Sequence, residues 1–186
     1  MSTAEPWLLV IDPQAIFADP DSAWGSPFFE AAWGQIERLV PAFKGRVLVT
    51  RWLPTAARDG AWGDYFEAWP FADVPADHPR YALIDTARGI SPRDSIDEPT
   101  FGKWQDQLRD IVGEHPRLVV TGVSTDCCVI ATVLPAADAG AWVTVVSDAV
   151  AHSSAENGQA ALSTMALFAP QVTLATTDEV LAGLGF

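Results

Sequence analysis

Short apolar runs that alternate with helical segments constrain the fold of this chain more than any other feature of its sequence. Runs rich in β-branched residues and bounded by turn residues are typical of strands buried on both faces. Such strands are predicted at residues 7–11, 46–50, 81–84, 117–121, 142–146 and 172–174. Strands that alternate with helices form a parallel sheet with right-handed crossovers. We therefore predict a three-layer α/β/α, Rossmann-like fold with a six-stranded, mainly parallel sheet.

The helical segments are identified by the spacing of their apolar residues. Helices are predicted at 29–43, 101–112, 125–140, a segment with Ala161, Met165 and Phe168 on one side, and 177–184, which Thr177 should cap. Residues 55–80 are expected to be irregular, although they carry Trp62, Tyr65, Phe66, Trp69 and Phe71. Large aromatic side chains in a loop are expected to cover a pocket or a subunit partner.

Length and charge exclude several classes of function. A chain of 186 residues suits a single domain over residues 1–186. Its formal net charge of −13 opposes binding to nucleic acid or to an anionic membrane surface. No apolar stretch is long enough to cross a bilayer, and residues 1–6 lack the basic region of a signal peptide. A cytoplasmic protein is therefore expected.

Residues 119–132, Val-Val-Thr-Gly-Val-Ser-Thr-Asp-Cys-Cys-Val-Ile-Ala-Thr, place both cysteines in the first turn of a helix that follows a buried strand. Cys127 and Cys128 are adjacent, so they cannot join distant segments by disulfides. The positive end of a helix dipole favours the thiolate, which is the reactive form of cysteine. This position predicts a lowered thiol pKa and a nucleophile. The alternative is a small apolar residue that packs the helix against the sheet.

Asp12 closes the first predicted strand and is followed by Pro13. Because proline ends the strand, the carboxylate is expected at the carboxyl end, where open α/β sheets place their sites. A turn or helix-capping aspartate is the alternative. The sequence contains neither Gly-x-Gly-x-x-Gly nor Gly-Lys-Ser/Thr, so no phosphate-binding loop is indicated.

Four motifs, taken together and in this order, resemble the isochorismatase-like superfamily of cysteine hydrolases, in its amidohydrolase branch. They are Val-Ile-Asp-Pro-Gln ending at Gln14, Val-Thr-Arg ending at Arg51, Thr-Gly-Val-Ser-Thr-Asp-Cys-Cys-Val around Cys128, and Val-Val-Ser-Asp-Ala around Asp148. The resemblance runs from about Trp7 to the C-terminus. It implies the three-layer fold and an Asp, Lys and Cys triad that hydrolyses small amides or carbamoyl groups through a thioester.

The resemblance also implies the roles of individual residues. The cysteine before valine, Cys128, matches the nucleophile, and Asp12 matches the general base. The Val123–Ser124 bond matches the family's cis peptide, which directs the N–H groups of Ser124 and Cys128 toward the oxyanion.

The lysine of the triad has two candidate positions. The family's register falls on Glu98, whereas Lys103 is the nearby lysine and lies inside a predicted helix. Lys103 could reach back to the site through its long stem, or be a solvated helix residue. If Glu98 replaces the lysine, a second carboxylate would raise the pKa of the thiol and of Asp12.

Aromatic residues dominate the pocket that the resemblance implies. Its expected substrate-binding residues are Gln14, Phe17, Trp24, Arg51, Trp52, Glu98 and Trp104. Such a pocket suits an apolar or ring-containing amide. Arg51 could bind a substrate carboxylate or pair with an acidic loop.

No metal and no other cofactor is expected. Nicotinamidase members of the superfamily carry an Asp-x-His metal motif after the second strand, but residues 50–54 contain neither residue type. The histidines, His78, His115 and His152, are scattered along the chain. A zinc site therefore cannot be assembled from the sequence.

These observations lead to one main hypothesis and two alternatives. The main hypothesis is a metal-independent cysteine hydrolase that cleaves a C–N bond of a small-molecule substrate. Isochorismatase-type vinyl-ether hydrolysis is disfavoured by Cys128, because that branch lacks the cysteine. The third is a non-catalytic ligand-binding or scaffold protein that has lost the lysine. The aromatic residues and the family's habit both suggest a homo-oligomer, a dimer or a tetramer.

Overall fold

Six parallel strands form the sheet of the protein, whose computed structural model describes residues 5–55 and 57–184. They are β1 (Trp7–Ile11), β2 (Val47–Trp52), β3 (Ile96–Glu98), β4 (Arg117–Val123), β5 (Trp142–Ala151) and β6 (Val172–Ala175). Their order in the sheet is β3-β2-β1-β4-β5-β6. The chain builds outward from β1 in one direction and then returns to its other side with β4. The carboxyl ends of β1 and β4 thus meet at the switch point, where folds of this type bind their ligands.

Helices cover both faces of this sheet. They are α1 (Ala15–Ala18), α2 (Phe29–Leu39), α3 (Ala61–Ala68), α4 (Asp106–Val112), α5 (Ile130–Asp138), α6 (Ala155–Ala166) and α7 (Thr177–Gly183). Leu8 and Val10 of β1 belong to one apolar core, whereas Leu9 and Ile11 belong to the other. This alternation along a buried strand confirms the predicted three-layer α/β/α fold. Over the described residues, no helix combines the length and the apolar character needed to span a bilayer.

The third strand does not lie where the sequence predicted it. Tyr81 belongs to a short 3₁₀ turn, and Leu83 makes only an isolated antiparallel bridge to Gln14. The strand is instead β3, which pairs with the end of β2 through Ile96 opposite Thr50. An edge strand of three residues with one buried apolar side chain shows almost no pattern in the sequence.

Several helix boundaries also differ from the predictions. Residues 55–80, predicted to be irregular, contain α3, and the helix predicted from residue 101 begins at Asp106. Thr176 rather than Thr177 caps α7, in a capping box with Glu179. The predicted helix 125–140 starts as a π-helical turn, Thr125–Val129, that leads into α5.

Replacing Gly122 by alanine should destabilise the fold strongly. Gly122 has φ 109°, and an added Cβ would lie 2.1 Å from the carbonyl oxygen of Ile11 in β1. We expect a loss of at least about 3 kcal/mol in the free energy of unfolding, measured by urea titration. Gly45→Ala is the control, since φ is 86° there and an added Cβ meets nothing within 4 Å. It should cost about 1–2 kcal/mol, and equal losses would contradict the packing argument.

Candidate active site

A buried carboxyl group lies at the carboxyl end of β1. Asp12 is fully buried and has a left-handed backbone conformation with φ 49°, which is uncommon outside glycine. The Thr50 hydroxyl, from β2, donates to Asp12 Oδ1 at 2.6 Å and accepts the Asp12 N–H at 3.2 Å. One hydroxyl on the neighbouring strand therefore fixes both the backbone and the side chain of Asp12.

Lys103 provides the positive charge opposite this carboxyl group. It lies in the loop that precedes α4, and its side chain is fully buried. Its Nζ is 3.2 Å from Asp12 Oδ2 and donates to the carbonyl oxygen of Thr100 at 2.9 Å. The alternative of a solvated helix residue is therefore wrong. A lysine is almost never fully buried unless it is paired, and here the pair is with Asp12.

Cys128 completes the group from the π-helical turn that follows β4. The carbonyl oxygen of Ser124 accepts hydrogen bonds from the N–H groups of Cys127 and Val129, each at 3.0 Å. The Val123–Ser124 peptide bond is cis. Cys128 is 3% exposed, and its thiol lies close enough to the Asp12 carboxyl group to lower the pKa of that group. The structure thus brings together Asp12, Lys103 and Cys128 from three separate loops.

The Asp12 carboxyl group has the properties of a general base. Burial raises its pKa above the ordinary value of 3.8, and the charge of Lys103, followed by hydrogen bonding to Thr50 and Cys128, offsets part of this. Oδ2 accepts no well-aligned hydrogen bond from the described residues. A free lone pair on an oxygen with a raised pKa is able to take up a thiol proton.

The pKa of the Cys128 thiol is raised, whereas the sequence predicted that it would be lowered. Its hydrogen bond with Cys127, burial and the nearby Asp12 charge all raise the pKa of Cys128 well above the ordinary value, whereas Lys103 lowers it. A raised pKa favours the neutral thiol, so an attack by Cys128 would need Asp12 to remove its proton.

Iodoacetamide at pH 7 should consequently alkylate Cys127 before Cys128. The hydrogen bond with Cys128 lowers the pKa of Cys127, whose side chain is also partly exposed, and alkylation follows the thiolate. Tandem mass spectrometry of the shared peptide locates the label. The single-thiol variants Cys127→Ala and Cys128→Ala supply the two reference rates. Faster labelling of Cys128 would instead support the lowered pKa.

Three of the predicted pocket residues join one aromatic cluster beside the site. This aromatic cluster consists of Phe17, Trp24, Trp52, Trp62, Tyr65, Phe66, Trp69, Phe71 and Phe101. Trp24 lies near its centre, with ring centroids 4.8 Å from Phe71 and 5.6 Å from Trp52. Such spacings are typical of favourable ring contacts. Phe17, Trp24 and Trp52 therefore lie together, as a wall of aromatic rings.

Tyr65 is missing from the predicted substrate-binding residues, although the sequence named it among the aromatic residues expected to cover a pocket or a subunit partner. Burial is the main reason that the pKa of Tyr65 is raised, and the charges of Cys127 and Cys128 raise it further. The phenol is therefore within electrostatic range of both thiols. It belongs to α3, in a segment that was predicted to be irregular. The spacing of Trp62, Tyr65, Phe66 and Trp69 is that of one helix face, and that signal could have identified it.

The other predicted pocket residues are placed differently. The amide of Gln14 is fully buried and bonds the backbone of Trp52 and Tyr81. Arg51 forms an ion pair with Asp97 at 2.5 Å, so it pairs with an acidic residue, although that residue belongs to β3 and not to the predicted acidic loop. Trp104 packs against the core on the opposite side of the sheet from the aromatic cluster.

Glu98 lies at the carboxyl end of β3, opposite Trp52 in the sheet register. Burial raises its pKa, while the charge of Lys103 lowers it. Lys103 is thus near both carboxyl groups, but it forms its ion pair with Asp12. Glu98 does not replace the lysine; it stands beside it.

The comparison with protein families agrees with this geometry. The family model of the isochorismatase domain matches residues 6–178. The chain belongs to the isochorismatase family. The resemblance inferred from the motifs is thereby confirmed. Membership of this isochorismatase-like hydrolase family supports hydrolase activity in general. No curated protein matches the sequence.

Solved structures share the isochorismatase-family fold of this chain. A cysteine hydrolase from Pseudomonas syringae pv. phaseolicola 1448A has a TM-score of 0.78 at 20% identity, over 97% of this chain and 92% of that one. The MAR1 ribonuclease from Caenorhabditis elegans has a TM-score of 0.72 at 18% identity, over 99% and 83%. A pyrazinamidase from Pyrococcus horikoshii, solved in complex with zinc, has a TM-score of 0.69 at 22% identity, over 93% and 99%.

The side chains that the structure describes in this isochorismatase-family protein do not fit a zinc ion. At the end of β2, Arg51 is held by Asp97, and Trp52 is part of the aromatic cluster. Within residues 5–55 and 57–184, no three His, Cys, Asp or Glu side chains come together as metal ligands. The donor set that catalytic zinc requires is therefore not assembled.

Proposed function

We propose that this member of the isochorismatase family is a metal-independent cysteine hydrolase that cleaves the C–N bond of a small amide or carbamoyl compound. The buried Asp12–Lys103 ion pair beside Cys128 is the observation that carries the proposal. A buried ion pair contributes little to stability by itself. Ionisable groups with shifted pKa values that converge in this way are typical of catalytic sites.

The proposed mechanism begins with proton transfer. Asp12 accepts the Cys128 proton at Oδ2 while the sulfur attacks the substrate carbonyl carbon, and Lys103 keeps the carboxyl group charged until that moment. The N–H groups of Ser124 and Cys128 are the proposed oxyanion donors. Asp12 then gives the proton to the leaving amine, and the C–N bond breaks to leave a thioester. Water that Asp12 deprotonates hydrolyses the thioester and regenerates the thiol.

The aromatic cluster supports a substrate with an apolar or ring-shaped acyl group. Phe17, Trp24 and Trp52 offer ring faces, and Tyr65 adds one polar hydroxyl near the thiols. Gln14 and Arg51 are occupied by protein partners, so we propose a supporting role for both. Glu98 is the remaining candidate for a direct polar contact with the substrate.

The alternatives receive less support. Loss of the triad lysine was the basis for a non-catalytic protein, but Lys103 contacts Asp12. Vinyl-ether hydrolysis is disfavoured by Cys128, which the branch with that activity lacks. The resemblance to a solved ribonuclease does not favour an RNA substrate, because the net charge of −13 opposes phosphate binding.

We also propose a homo-oligomer in the cytoplasm. Apolar side chains remain on the surface, including Trp142, Leu167 and Leu174. Trp142 is 47% exposed, and aromatic residues of this kind are enriched at interfaces between subunits.

A covalent intermediate is the sharpest test of the proposed chemistry. Wild-type protein is incubated with a panel of primary amides and carbamoyl compounds that differ in the ring size of the acyl group. Ammonia release identifies the substrates, and rapid acid quenching followed by intact-mass analysis detects the acyl-enzyme. We expect an adduct that maps to Cys128. Turnover without any adduct on Cys128, in single-turnover conditions, would overturn the thioester mechanism.

A further inference from the structure

One buried hydroxyl joins the loop of the lysine to the turn of the cysteine. Thr132, in the first turn of α5, is fully buried. Its Oγ1 accepts the backbone N–H of Lys103 at 2.9 Å and donates to the carbonyl oxygen of Cys128 at 2.6 Å. A threonine hydroxyl has one donor and two acceptor positions, so a single atom serves both contacts.

Packing against α5 also holds the loop that carries Lys103 close to Thr132. Gly102 lies directly against α5, and an added Cβ there would be 2.5 Å from the carbonyl oxygen of Ala131. From that anchor the Lys103 side chain extends to Asp12 Oδ2, at 3.2 Å. The position of the ammonium group therefore depends on where the Lys103 backbone meets Thr132.

The second half of the contact acts on the nucleophile. The bond from Thr132 to the Cys128 carbonyl spans four residues, a side-chain bond that helices tolerate at a small cost. Here it lies within the turn that presents the thiol. Loss of the hydroxyl would leave two buried backbone groups, the Lys103 N–H and the Cys128 carbonyl, without this partner.

We propose that Thr132 is a positioning residue that sets the distance between the Lys103 ammonium and the Cys128 thiol. This inference rests on the proposed cysteine-hydrolase function. Thr132 does not touch the reacting atoms; it holds the backbones of the two residues that do. A displacement of about 1 Å in a catalytic group is enough to cost about 100-fold in rate.

The test compares Thr132→Val, which keeps the shape and loses the hydroxyl, with Thr132→Ser, which keeps the hydroxyl. Turnover of the best amide from the panel should fall about 10–100-fold in Thr132→Val with little change in KM, and Thr132→Ser should restore it. Thr164→Val is the matched control, because Thr164 makes the same four-residue bond to Ala160 in α6, on the surface. Thr132→Ala gives the same comparison if the valine variant does not fold.

A second readout does not depend on turnover. In a Cys127→Ala background, the rate at which iodoacetamide alkylates Cys128 is measured from pH 6 to pH 10. Adding Thr132→Val should slow the reaction and move its midpoint to higher pH, because Lys103 lowers the pKa of Cys128 and is no longer held in place.

Two results would overturn the inference. One is a Thr132→Val variant with the turnover and alkylation profile of its parent. The other is an equal loss in Thr132→Val and Thr132→Ser, which would assign the effect to packing at this position rather than to the hydroxyl group. Failure of the proposed function is recognised separately, as full turnover in Cys128→Ala. The alkylation profile still tests Thr132 in that case.

Discussion

Replacing Cys128 by alanine should reduce turnover of any amide substrate by at least about 1,000-fold. Without the sulfur, no thioester forms, and the Asp12–Lys103 pair has no nucleophile to deprotonate. The fold should persist, because alanine removes only one buried sulfur atom, from a π-helical turn at the edge of the sheet. Ammonia release and circular dichroism, measured on the same preparation, separate loss of chemistry from loss of structure.

Cys127→Ala provides the matched control for this experiment. The two cysteines are adjacent in one π-helical turn, yet only Cys128 is buried next to Asp12. The Cys127 variant should therefore retain most of the turnover and form the acyl-enzyme. Loss of activity in Cys127→Ala with retention in Cys128→Ala would exchange their roles.

Lys103→Met should destabilise the protein by about 3–5 kcal/mol at pH 7, as measured by urea unfolding. Methionine replaces the stem of lysine and fills most of its volume, but it leaves the buried carboxyl group of Asp12 without its counter-charge. The variant should also lose turnover, because Asp12 would be protonated and could no longer accept the thiol proton.

The pH dependence of this loss has a definite sign. Burial already raises the pKa of Asp12 above 3.8, and Lys103 lowers it, so the lysine's removal raises that pKa further. When the pKa of a carboxyl group is higher in the folded state than in the unfolded state, its contribution to the free energy of unfolding falls as pH rises through the folded-state pKa. Relative to the wild type, the deficit of Lys103→Met should therefore grow as pH rises above the folded-state pKa of Asp12 in the wild type, and it should be smaller at lower pH.

The double variant Asp12→Asn/Lys103→Met separates electrostatics from packing. With both charges removed, most of the stability should return while turnover remains absent, since neutral groups of similar volume replace a buried ion pair at little cost. If the double variant is as unstable as the sum of the two single variants, the buried pair is not the source of the effect.

The parts of the site that follow strong strands could be predicted from the sequence. The first, second and fourth strands are apolar runs, and the second and fourth end two residues beyond their predicted ends, so Asp12, Thr50 and the Cys128 turn lie near the carboxyl edge that was predicted. Parallel strands bring such ends to the same edge of a sheet. Placing Asp12 and Cys128 at this edge did not depend on predicting the conformation of the loops.

The remaining parts depend on tertiary contacts that leave no local pattern. Phe101, Trp104 and Leu108 have helical spacing, but Phe101 joins the aromatic cluster and the helix begins only at Asp106, so Lys103 lies in a loop rather than in the predicted helix. Strand β3 has a single buried apolar residue, Ile96. The pKa of Cys128 depends on its neighbours and its burial, and neither of these is written in the sequence around it.

The aromatic cluster has a consequence for substrate selection. Asp12, Lys103 and Cys128 are almost completely shielded from solvent, and Tyr65 of the aromatic cluster lies within electrostatic range of the thiol. We therefore expect a substrate that approaches the sulfur past this cluster to separate rings that now contact one another. Each ring pair contributes about 0.5–1.5 kcal/mol. A ring-bearing amide replaces those contacts with its own, whereas a small polar amide leaves them broken. We therefore expect the protein to discriminate between the two when its own side chains are displaced, before any bond of the substrate is made or cleaved.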